Sequence, residues 1–323
     1  MIRNRYRVAV VGVGVIGARH VQAMAGVTVP IDLDIVDPVP EARVRANTFL
    51  DAMGGLVDGQ VREFSRIEDL AAAPDLAIVA TASRERASAV TALVAAGAQK
   101  LILEKVLFTR LSDYDSIDAL LATTDVRAWV NCPRRSYPRA RRLLDLIDGA
   151  RFDYRVEGRG WGLACNLVHH LDEFANLCGQ AEVTLDTSAL DESVVSAKRV
   201  GYIEFFGKIS GETAMLNRFD AICSEGPASG RTVSIQTEDV CLTISPEQKL
   251  MILRDGRTSI EPYPMPPQSQ MTANHVLAIL TGQKLGLPPY AAASRLHRKM
   301  IGAFIEHLRR VGQNDSIDEC PVT

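Results

Sequence analysis

Short apolar runs alternate with helical stretches over the N-terminal part of the chain. The apolar runs lack polar alternation, which is typical of parallel strands buried on both faces of a sheet. An alanine-rich helical stretch, RERASAVTALVAAGA (84–98), lies between two of them and ends at Gly97. This alternation predicts βαβ units with right-handed crossovers, and therefore a doubly wound parallel sheet. The predicted strands are RVAVVG (7–12), DLDIVD (32–37), DLAIVAT (75–81), KLILEK (100–105) and VRAWVN (126–131).

The pattern changes in the second half of the chain. YIEFFGKISGETAMLNRF (202–219) predicts a hairpin that turns near Gly207. Residues 231–264 predict a meander of short strands separated by Gly, Pro and Asp turns. Two helices are expected at 271–285 and 289–311. These elements predict an α+β region with an open, mainly antiparallel sheet.

Composition narrows the class of protein. The chain has 323 residues, a net charge of −3 and a sequence pI near 6.1, so no overall field attracts it to nucleic acid or an anionic membrane. Its six cysteines are scattered without a C-x-x-C pair, which indicates reduced thiols and no zinc site. No apolar run has the length of a membrane span. We therefore expect a cytoplasmic protein without a metal centre.

A glycine-rich loop follows the first predicted strand and opens a helix. In GVGVIG (12–17), Gly12 allows a tight turn, Gly14 allows a pyrophosphate to approach the backbone, and Gly17 allows close packing of helix on strand. The helix N-terminus adds N–H donors and a positive dipole end, which suit an anion. The loop predicts dinucleotide binding through Gly12, Gly14, Val15, Ile16 and Gly17.

Asp37 ends the second predicted strand, at the spacing expected of a ribose-binding acid. A carboxylate at this position accepts hydrogen bonds from the ribose hydroxyls and repels a 2′-phosphate, so NAD is favoured over NADP. Arg43 is the nearest basic residue downstream that would complicate this preference.

Glu104 and Lys105 form a charge pair within the apolar stretch LILEKVLFTR (101–110). Ligands of a doubly wound sheet bind beyond the carboxyl ends of its strands, where Lys105 is expected. A lysine there can hydrogen-bond a substrate hydroxyl and transfer a proton. The alternative is an edge lysine that pairs with Glu104 for structural reasons.

The strand, the glycine loop and the strand-end Glu-Lys together resemble the glucose-fructose oxidoreductase / inositol dehydrogenase (Gfo/Idh/MocA) family. That family carries Glu-Lys-Pro at this point, whereas this chain has Val106 in place of the proline. The resemblance implies a Rossmann domain and a second domain with an open sheet, and a homo-oligomer, either a dimer or a tetramer. It also implies that Lys105 and a histidine flank the substrate carbon that exchanges hydride.

The family's histidine motif has a counterpart in WGLACNLVHHLDEFANLCG (161–179). His169 begins an H-x-x-D that matches the end of the motif, while His170 lies four residues after Asn166, which is the usual spacing between acid and histidine. Both histidines share a helical face with Asn166. We favour His169 as the general base, with His170 as the alternative and Asn166 as an orienting group.

Other candidate residues lie near the predicted strand ends. Asn131, Arg134 and Arg135 follow the strand 126–131, and an arginine there suits a carboxylate, phosphate or nucleotide diphosphate. Trp161 either stacks on a sugar ring or packs in the core. Further cofactor candidates are Thr81, Ser83 and Glu104.

These features predict an NAD-dependent oxidoreductase that acts on a secondary alcohol or ketone of a sugar, cyclitol or nucleotide sugar. The alternatives are a redox-neutral enzyme that recycles tightly bound NAD, and a non-catalytic NAD-binding sensor. We expect a dinucleotide-binding domain over residues 1–130 and a substrate and oligomerisation domain over 131–323. The C-terminal helix is expected to pack back on the first domain.

Overall fold

The structure is a computed structural model, and it describes residues 5–137, 139–179, 182–312 and 316–323. Packing divides the chain into two compact units. Unit 1 contains the residues up to Phe108, Ser112–Pro133 and Pro266–Ala293. Unit 2 contains Thr109–Leu111, Arg134–Met265 and Ser294–Thr323. Unit 1 thus takes in a segment that lies far beyond the predicted boundary at residue 130.

A parallel six-stranded sheet forms the centre of unit 1, in the order β3-β2-β1-β4-β5-β6. The predicted doubly wound α/β fold is confirmed, and all pairings in this sheet are parallel. β3 is absent from the predicted strands because it is short, lies at the sheet edge and has half-exposed residues, so it lacks an apolar run. The strands are β1 (Tyr6–Val11), β2 (Ile31–Val36), β3 (Val61–Phe64), β4 (Leu76–Val79), β5 (Lys100–Leu103) and β6 (Arg127–Val130).

Helices cover this sheet and continue into the rest of the chain. The helix predicted over 84–98 is shorter than expected at both ends, and the last two helices lie within a few residues of their predicted positions. The helices are α1 (Val15–Ala23), α2 (Pro40–Asp51), α3 (Arg86–Ala95), α4 (Leu111–Ala122), α5 (Ala140–Ile147), α6 (Leu163–Leu177), α7 (Gln268–Thr281) and α8 (Tyr290–Arg310). None of the described helices is both long and apolar enough to span a bilayer.

One apolar core binds α7 to the sheet of unit 1. Val8 and Val10 of β1 and Leu33 of β2 are fully buried in the same cluster as Val276 and Ile279 of α7. Helix α7 also packs against α1, the helix that begins after the glycine loop. The burial of these aliphatic side chains explains why a segment so distant in sequence belongs to unit 1.

Unit 2 is built on a nine-stranded sheet. Eight of its strands follow the order β15-β14-β13-β12-β7-β11-β10-β8, and the ninth, β9, pairs with β10. Among the described strands of this second sheet, only the β7–β11 pairing is parallel, so the predicted mainly antiparallel sheet is confirmed. The strands are β7 (Asp153–Arg159), β8 (Val183–Asp186), β9 (Leu190–Ser196), β10 (Ile203–Thr213), β11 (Arg218–Ser224), β12 (Thr232–Gln236), β13 (Val240–Ile244), β14 (Lys249–Arg254) and β15 (Arg257–Pro262).

The hairpin predicted to turn near Gly207 turns elsewhere. Strand β10 runs through Gly207, and the chain reverses at 214–217, where Leu216 has a φ of 60°. At Gly207 the pairing of β10 with β9 changes register, and the residue adopts a φ of 99°. The glycine therefore serves a β-bulge inside a long strand, a use that sequence does not distinguish from a turn.

Glu204 of β10 caps the N-terminus of α6, the helix that carries both candidate histidines. Its carboxylate accepts hydrogen bonds from the backbone N–H groups of Ala164 (2.8 Å) and Cys165 (3.1 Å). These N–H groups have no partner within the helix, and the negative charge also complements the helix dipole. The helix packs against β10 and β11, so the cap fixes its start on the sheet.

We predict that Glu204→Ala lowers the free energy of unfolding by about 1–2 kcal/mol, the usual effect of losing an N-terminal cap. Urea unfolding followed by circular dichroism measures this change. Glu212→Ala on the same strand is the matched control, because its side chain is exposed and pairs with Arg218 at 3.6 Å. Equal losses in the two variants would contradict a capping role for Glu204.

Candidate active site

Gly12 is required by the packing around the first loop of unit 1. It adopts a φ of 81°, and its N–H donates to the carbonyl of Val36 at 2.8 Å. A Cβ at this position would lie 2.6 Å from the backbone nitrogen of Thr81. The loop after β1 and the loop after β4 therefore approach more closely than any side chain would allow.

Gly14 has a different reason to be glycine. A Cβ built there meets no atom of the described chain within 4 Å, so packing does not exclude a side chain. The flanking Val15 and Ile16 are 79% and 43% exposed, and α1 begins with no side-chain cap and no acidic residue in its first turn. Open space before an uncapped helix N-terminus suits the pyrophosphate of a dinucleotide.

Asp37 follows β2 at the same edge of the sheet. Its Oδ2 accepts a hydrogen bond from the N–H of Val13 (2.8 Å), and its Oδ1 accepts one from the N–H of Val39 (2.9 Å). Arg43 donates to the backbone carbonyl of Asp37 and pairs with Glu63 at 3.3 Å. Each carboxylate oxygen keeps further acceptor capacity, so Asp37 is held beside the glycine loop and can still accept hydrogen bonds from a ribose.

The loop after β4 contains Thr81 and Ser83. The hydroxyl oxygen of Thr81 is buried and has no hydrogen-bond partner among the described residues. Ser83 is also fully buried. Arg86, at the start of α3, donates to the carbonyls of Thr81, Val106 and Leu107 (3.1 Å for the last). This arginine ties the loop after β4 to the loop after β5, and the unpaired Thr81 hydroxyl fits a loop that borders a cofactor.

Glu104 lies in a buried polar cluster. Its Oε1 lies 2.8 Å from His20 Nε2 and also accepts from the amide of Asn131, while His20 Nδ1 lies 2.9 Å from Thr272 Oγ1. Burial raises the pKa of Glu104, but the interactions with His20, Asn131 and Lys105 together outweigh it, and the pKa lies below its ordinary value. The carboxylate is therefore ionised and fully engaged by protein groups.

Lys105 directly follows this cluster and is half-buried. Its backbone N–H donates to Glu104 Oε2 at 3.3 Å, and the peptide bond between Lys105 and Val106 is cis. Val106 itself is fully buried. Lys105 thus lies just beyond the carboxyl end of β5, as predicted. Glu104 holds the backbone from which the lysine side chain projects.

Helix α6 carries Asn166, His169 and His170, and Trp161 lies just before the helix. Asn166 donates through Nδ2 to the carbonyls of Trp161 (2.9 Å) and Gly162 (3.0 Å). Trp161 is buried and its indole N–H donates to the carbonyl of Ile222 at 2.8 Å, so its ring packs within the unit. His169 is half-buried. The amide nitrogen of Asn166 thus secures the start of the helix.

His170 is fully buried and has partners at both ring nitrogens. Tyr154 Oη lies 2.8 Å from Nδ1, and Arg134 Nη2 lies 3.2 Å from Nε2. Tyr154 also donates to Glu173 at 2.7 Å, and Arg134 Nη1 lies 3.3 Å from the same Nδ1 of His170. Burial, followed by the charges of Arg134 and Arg231, holds the pKa of His170 well below its ordinary value. The ring is neutral at pH 7.

The two predicted arginines have different carboxylate partners. Arg134 pairs with Glu173 at 3.0 Å, whereas Arg135 pairs with Asp172 through two nitrogens, one at 2.9 Å. Burial raises the pKa of Asp172 to about 6, although Arg135 opposes the shift. Arg135 is therefore committed to Asp172, while Arg134 lies beside His170 at the wall of a cavity.

Several residues at these sites have no local signal in the sequence. His20 contacts Glu104 and Thr272 contacts His20, both across long sequence separations, and Arg231 and Tyr263 join His170 around the cavity. Only tertiary packing brings such residues together. Among the described residues, no group of three or more His, Cys, Asp and Glu side chains could hold a metal ion.

The fold and the loop geometry of unit 1 are those of a Rossmann domain. Residues 6–132 match the family model described as "Oxidoreductase family, NAD-binding Rossmann fold", which represents the Gfo/Idh/MocA proteins. The predicted resemblance to the Gfo/Idh/MocA oxidoreductase family is confirmed for this portion of the chain. No curated protein sequence matches the chain significantly.

Solved structures resemble nearly the whole chain. UDP-N-acetylglucosamine 3-dehydrogenase from Acidithiobacillus ferrooxidans is 15% identical, with a TM-score of 0.69 over 93% of this chain and 96% of its own. An Agrobacterium radiobacter oxidoreductase in complex with NAD+, L-tartaric acid and magnesium is 15% identical, with a TM-score of 0.68 over 97% and 98%. The transcriptional regulator Gal80p from Kluyveromyces lactis is 12% identical, with a TM-score of 0.72 over 96% and 94%. These similarities show a shared fold.

The different environments of Gly14 and Gly17 lead to a paired prediction. A Cβ at Gly17 would lie 1.9 Å from the carbonyl oxygen of Gly12, so Gly17→Ala should destabilise the protein by about 1–3 kcal/mol. Gly14→Ala should change the free energy of unfolding by less than about 0.5 kcal/mol, because its Cβ enters open space. It should still weaken NAD binding about tenfold or more, since the same space would receive the pyrophosphate.

Urea unfolding and isothermal titration calorimetry with NAD measure the two effects separately. Retention of full NAD affinity by a folded Gly14→Ala protein would show that no dinucleotide approaches this loop.

Proposed function

We propose that the protein catalyses hydride transfer between a nicotinamide cofactor and a secondary alcohol or ketone of a small polyhydroxylated substrate. The observation that carries the proposal is in unit 1, where the glycine loop, Asp37 and Lys105 all follow strands of one parallel sheet. Ligands of such sheets bind beyond the carboxyl ends of the strands. A nucleotide cradle and a proton-transferring lysine are the two parts that this chemistry needs at that edge.

The cofactor would be held by this chain's own groups. The N-terminus of α1 and the open space at Gly14 would receive the pyrophosphate, and Asp37 would accept hydrogen bonds from the adenosine ribose. The negative charge of Asp37 disfavours a 2′-phosphate, so NAD is the proposed cofactor. When bound, the nicotinamide supplies the hydride acceptor or donor.

Lys105 is proposed to handle the proton of the reacting hydroxyl group. Its backbone N–H donates to Glu104 Oε2 at 3.3 Å, so the buried Glu104 cluster holds the chain at the point from which the lysine projects. A lysine on a half-buried strand end can hydrogen-bond a hydroxyl and exchange its proton.

His169 is the proposed second proton-transferring residue, in preference to His170. Both ring nitrogens of His170 lie within hydrogen-bond distance of buried protein groups, Nδ1 of Tyr154 and Nε2 of Arg134, so neither is available to a substrate proton without displacing a buried contact. Its lowered pKa also makes it a weak base at neutral pH. His170 is therefore proposed as a neutral wall of the cavity and His169 as the base.

We predict reduction of NAD, measured at 340 nm, with at least one member of a panel of sugars, cyclitols, sugar acids and nucleotide sugars. Lys105→Met should lower kcat by about 10²- to 10⁴-fold, the usual contribution of a general acid–base group. Lys100→Met, at the opposite end of the same strand, is the matched control and should retain kcat. Both variants should bind NAD as the unmodified protein does.

Other outcomes identify other functions. Substrate conversion without net NADH formation, in protein that purifies with NAD, would identify a redox-neutral enzyme. The protein would instead be a non-catalytic sensor if it binds NAD, converts no member of the panel, and keeps its cellular function in the Lys105→Met variant.

The histidines give a separate prediction. His169→Asn should lower kcat by about 10²-fold or more, while His170→Asn should chiefly raise KM and lower stability, because it disrupts the buried contacts with Tyr154 and Arg134. Steady-state kinetics and thermal unfolding of the two variants measure these effects. A larger loss of kcat in His170→Asn, in protein that remains folded, would reverse the assignment.

A further inference from the structure

Unit 2 contains a cavity of about 250 Å³ that is lined by apolar side chains together with several charged and hydroxyl groups. Helix α6 supplies His170 and Glu173 to its wall, and the segment after Pro133 supplies Arg134. The segment before β12 contributes Arg231 to the lining, β13 contributes Ile244, and the segment after β15 contributes Tyr263. All of these residues lie within unit 2.

The charges around this cavity do not balance. Arg134 has a carboxylate partner in Glu173, which also accepts from Tyr154. Arg231 has no hydrogen bond and no ion pair among the described residues, and its guanidinium lies 5.5 Å from the centre of the Trp161 ring. With His170 neutral, two arginines face a single carboxylate, so the cavity carries an excess positive charge.

Desolvation makes this excess costly in the absence of an anion. Burial, followed by the charge of Arg134, lowers the pKa of Arg231 below its ordinary value. A guanidinium remains protonated despite such a shift, so Arg231 is a half-buried cation without a counter-charge. The stack on Trp161 holds it in place but supplies no negative charge.

A hydroxyl group without a partner lies at the same cavity. Tyr263 is 2% exposed, and its oxygen has no hydrogen-bond partner among the described residues. Burial raises the pKa of Tyr263, so the group stays protonated and is a donor. A buried donor without an acceptor costs free energy comparable to a lost hydrogen bond. Arg231 and Tyr263 thus both lack an acceptor, and both face one cavity.

The geometry points to binding of an anionic oxygen group, a carboxylate or a phosphate, of a small polyhydroxylated substrate in this cavity, with Arg231 as the counter-charge and Tyr263 as a neutral donor. The volume lies below the usual range of about 300–1,000 Å³ for whole drug-sized ligands, so the cavity suits a sugar acid or sugar phosphate better than a nucleotide. The inference rests on the proposed function and specifies its substrate class.

Three probes with the same six-carbon chain test the inference: D-gluconate, D-glucitol 6-phosphate and neutral D-glucitol. Binding to the full chain is followed by tryptophan fluorescence, because Arg231 lies over Trp161, and independently by isothermal titration calorimetry. We expect at least one anion to bind about tenfold or more tightly than glucitol. The anion that binds with the higher affinity shows whether the cavity prefers a carboxylate or a phosphate group.

Arg231→Met should weaken binding of that anion about tenfold or more and leave the glucitol affinity unchanged. Tyr263→Phe should weaken it about threefold to tenfold, since one neutral donor is lost. Arg155→Met is the control, because Arg155 is an exposed arginine of the same unit that pairs with Glu157 at 2.7 Å. It should bind all three probes as the unmodified protein does.

Equal affinity for the three probes, or anion binding that survives Arg231→Met in folded protein, would overturn the inference. Absence of saturable binding by both anions up to about 50 mM would overturn it as well. Because binding is measured without NAD and without turnover, these results are independent of whether hydride transfer is observed.

Discussion

The parallel register of β1 with its two neighbours is the constraint on which unit 1 depends. Val11 pairs with Val36 of β2 on one side and with Val79 of β4 on the other. Because parallel strands end at one edge, the loops that follow these three strands must meet there. Gly12 and Asp37 lie in those loops as a result, and the close approach at Gly12 is possible only without a side chain.

The two units differ in how completely their buried charged groups are compensated by neighbouring protein groups. In unit 1, Glu104 is held by His20 and Asn131, so the desolvated carboxylate is fully compensated and provides a rigid base for the residue that follows. In unit 2, compensation is incomplete, because Glu173 serves Arg134 while Arg231 keeps an unmatched charge. The first arrangement suits a fixed structural role, and the second suits a site that is completed by a ligand.

Local sequence patterns predicted the elements that depend on local chemistry. The apolar runs identified five of the six parallel strands, and the glycine spacing identified the loop after β1. The sequence prediction was wrong at Gly207, because glycine is common both in turns and in β-bulges, and here it forms a bulge. Strand β3 was missed for another reason: it lies at the sheet edge and lacks an apolar run. Asn131 was expected to contact substrate, yet its amide donates to Glu104, a partner chosen by packing.

The sequence by itself determined that the chain has a doubly wound sheet with a glycine loop, an acid after the second strand and a lysine after the fifth. These features follow from residue periodicity and from the backbone freedom of glycine, which are local properties. Only the tertiary structure decided that α7 joins unit 1, that His170 is a buried neutral ring, and that Arg231 and Tyr263 share a cavity. Burial and long-range partners control those outcomes, and neither is encoded within a short stretch of chain.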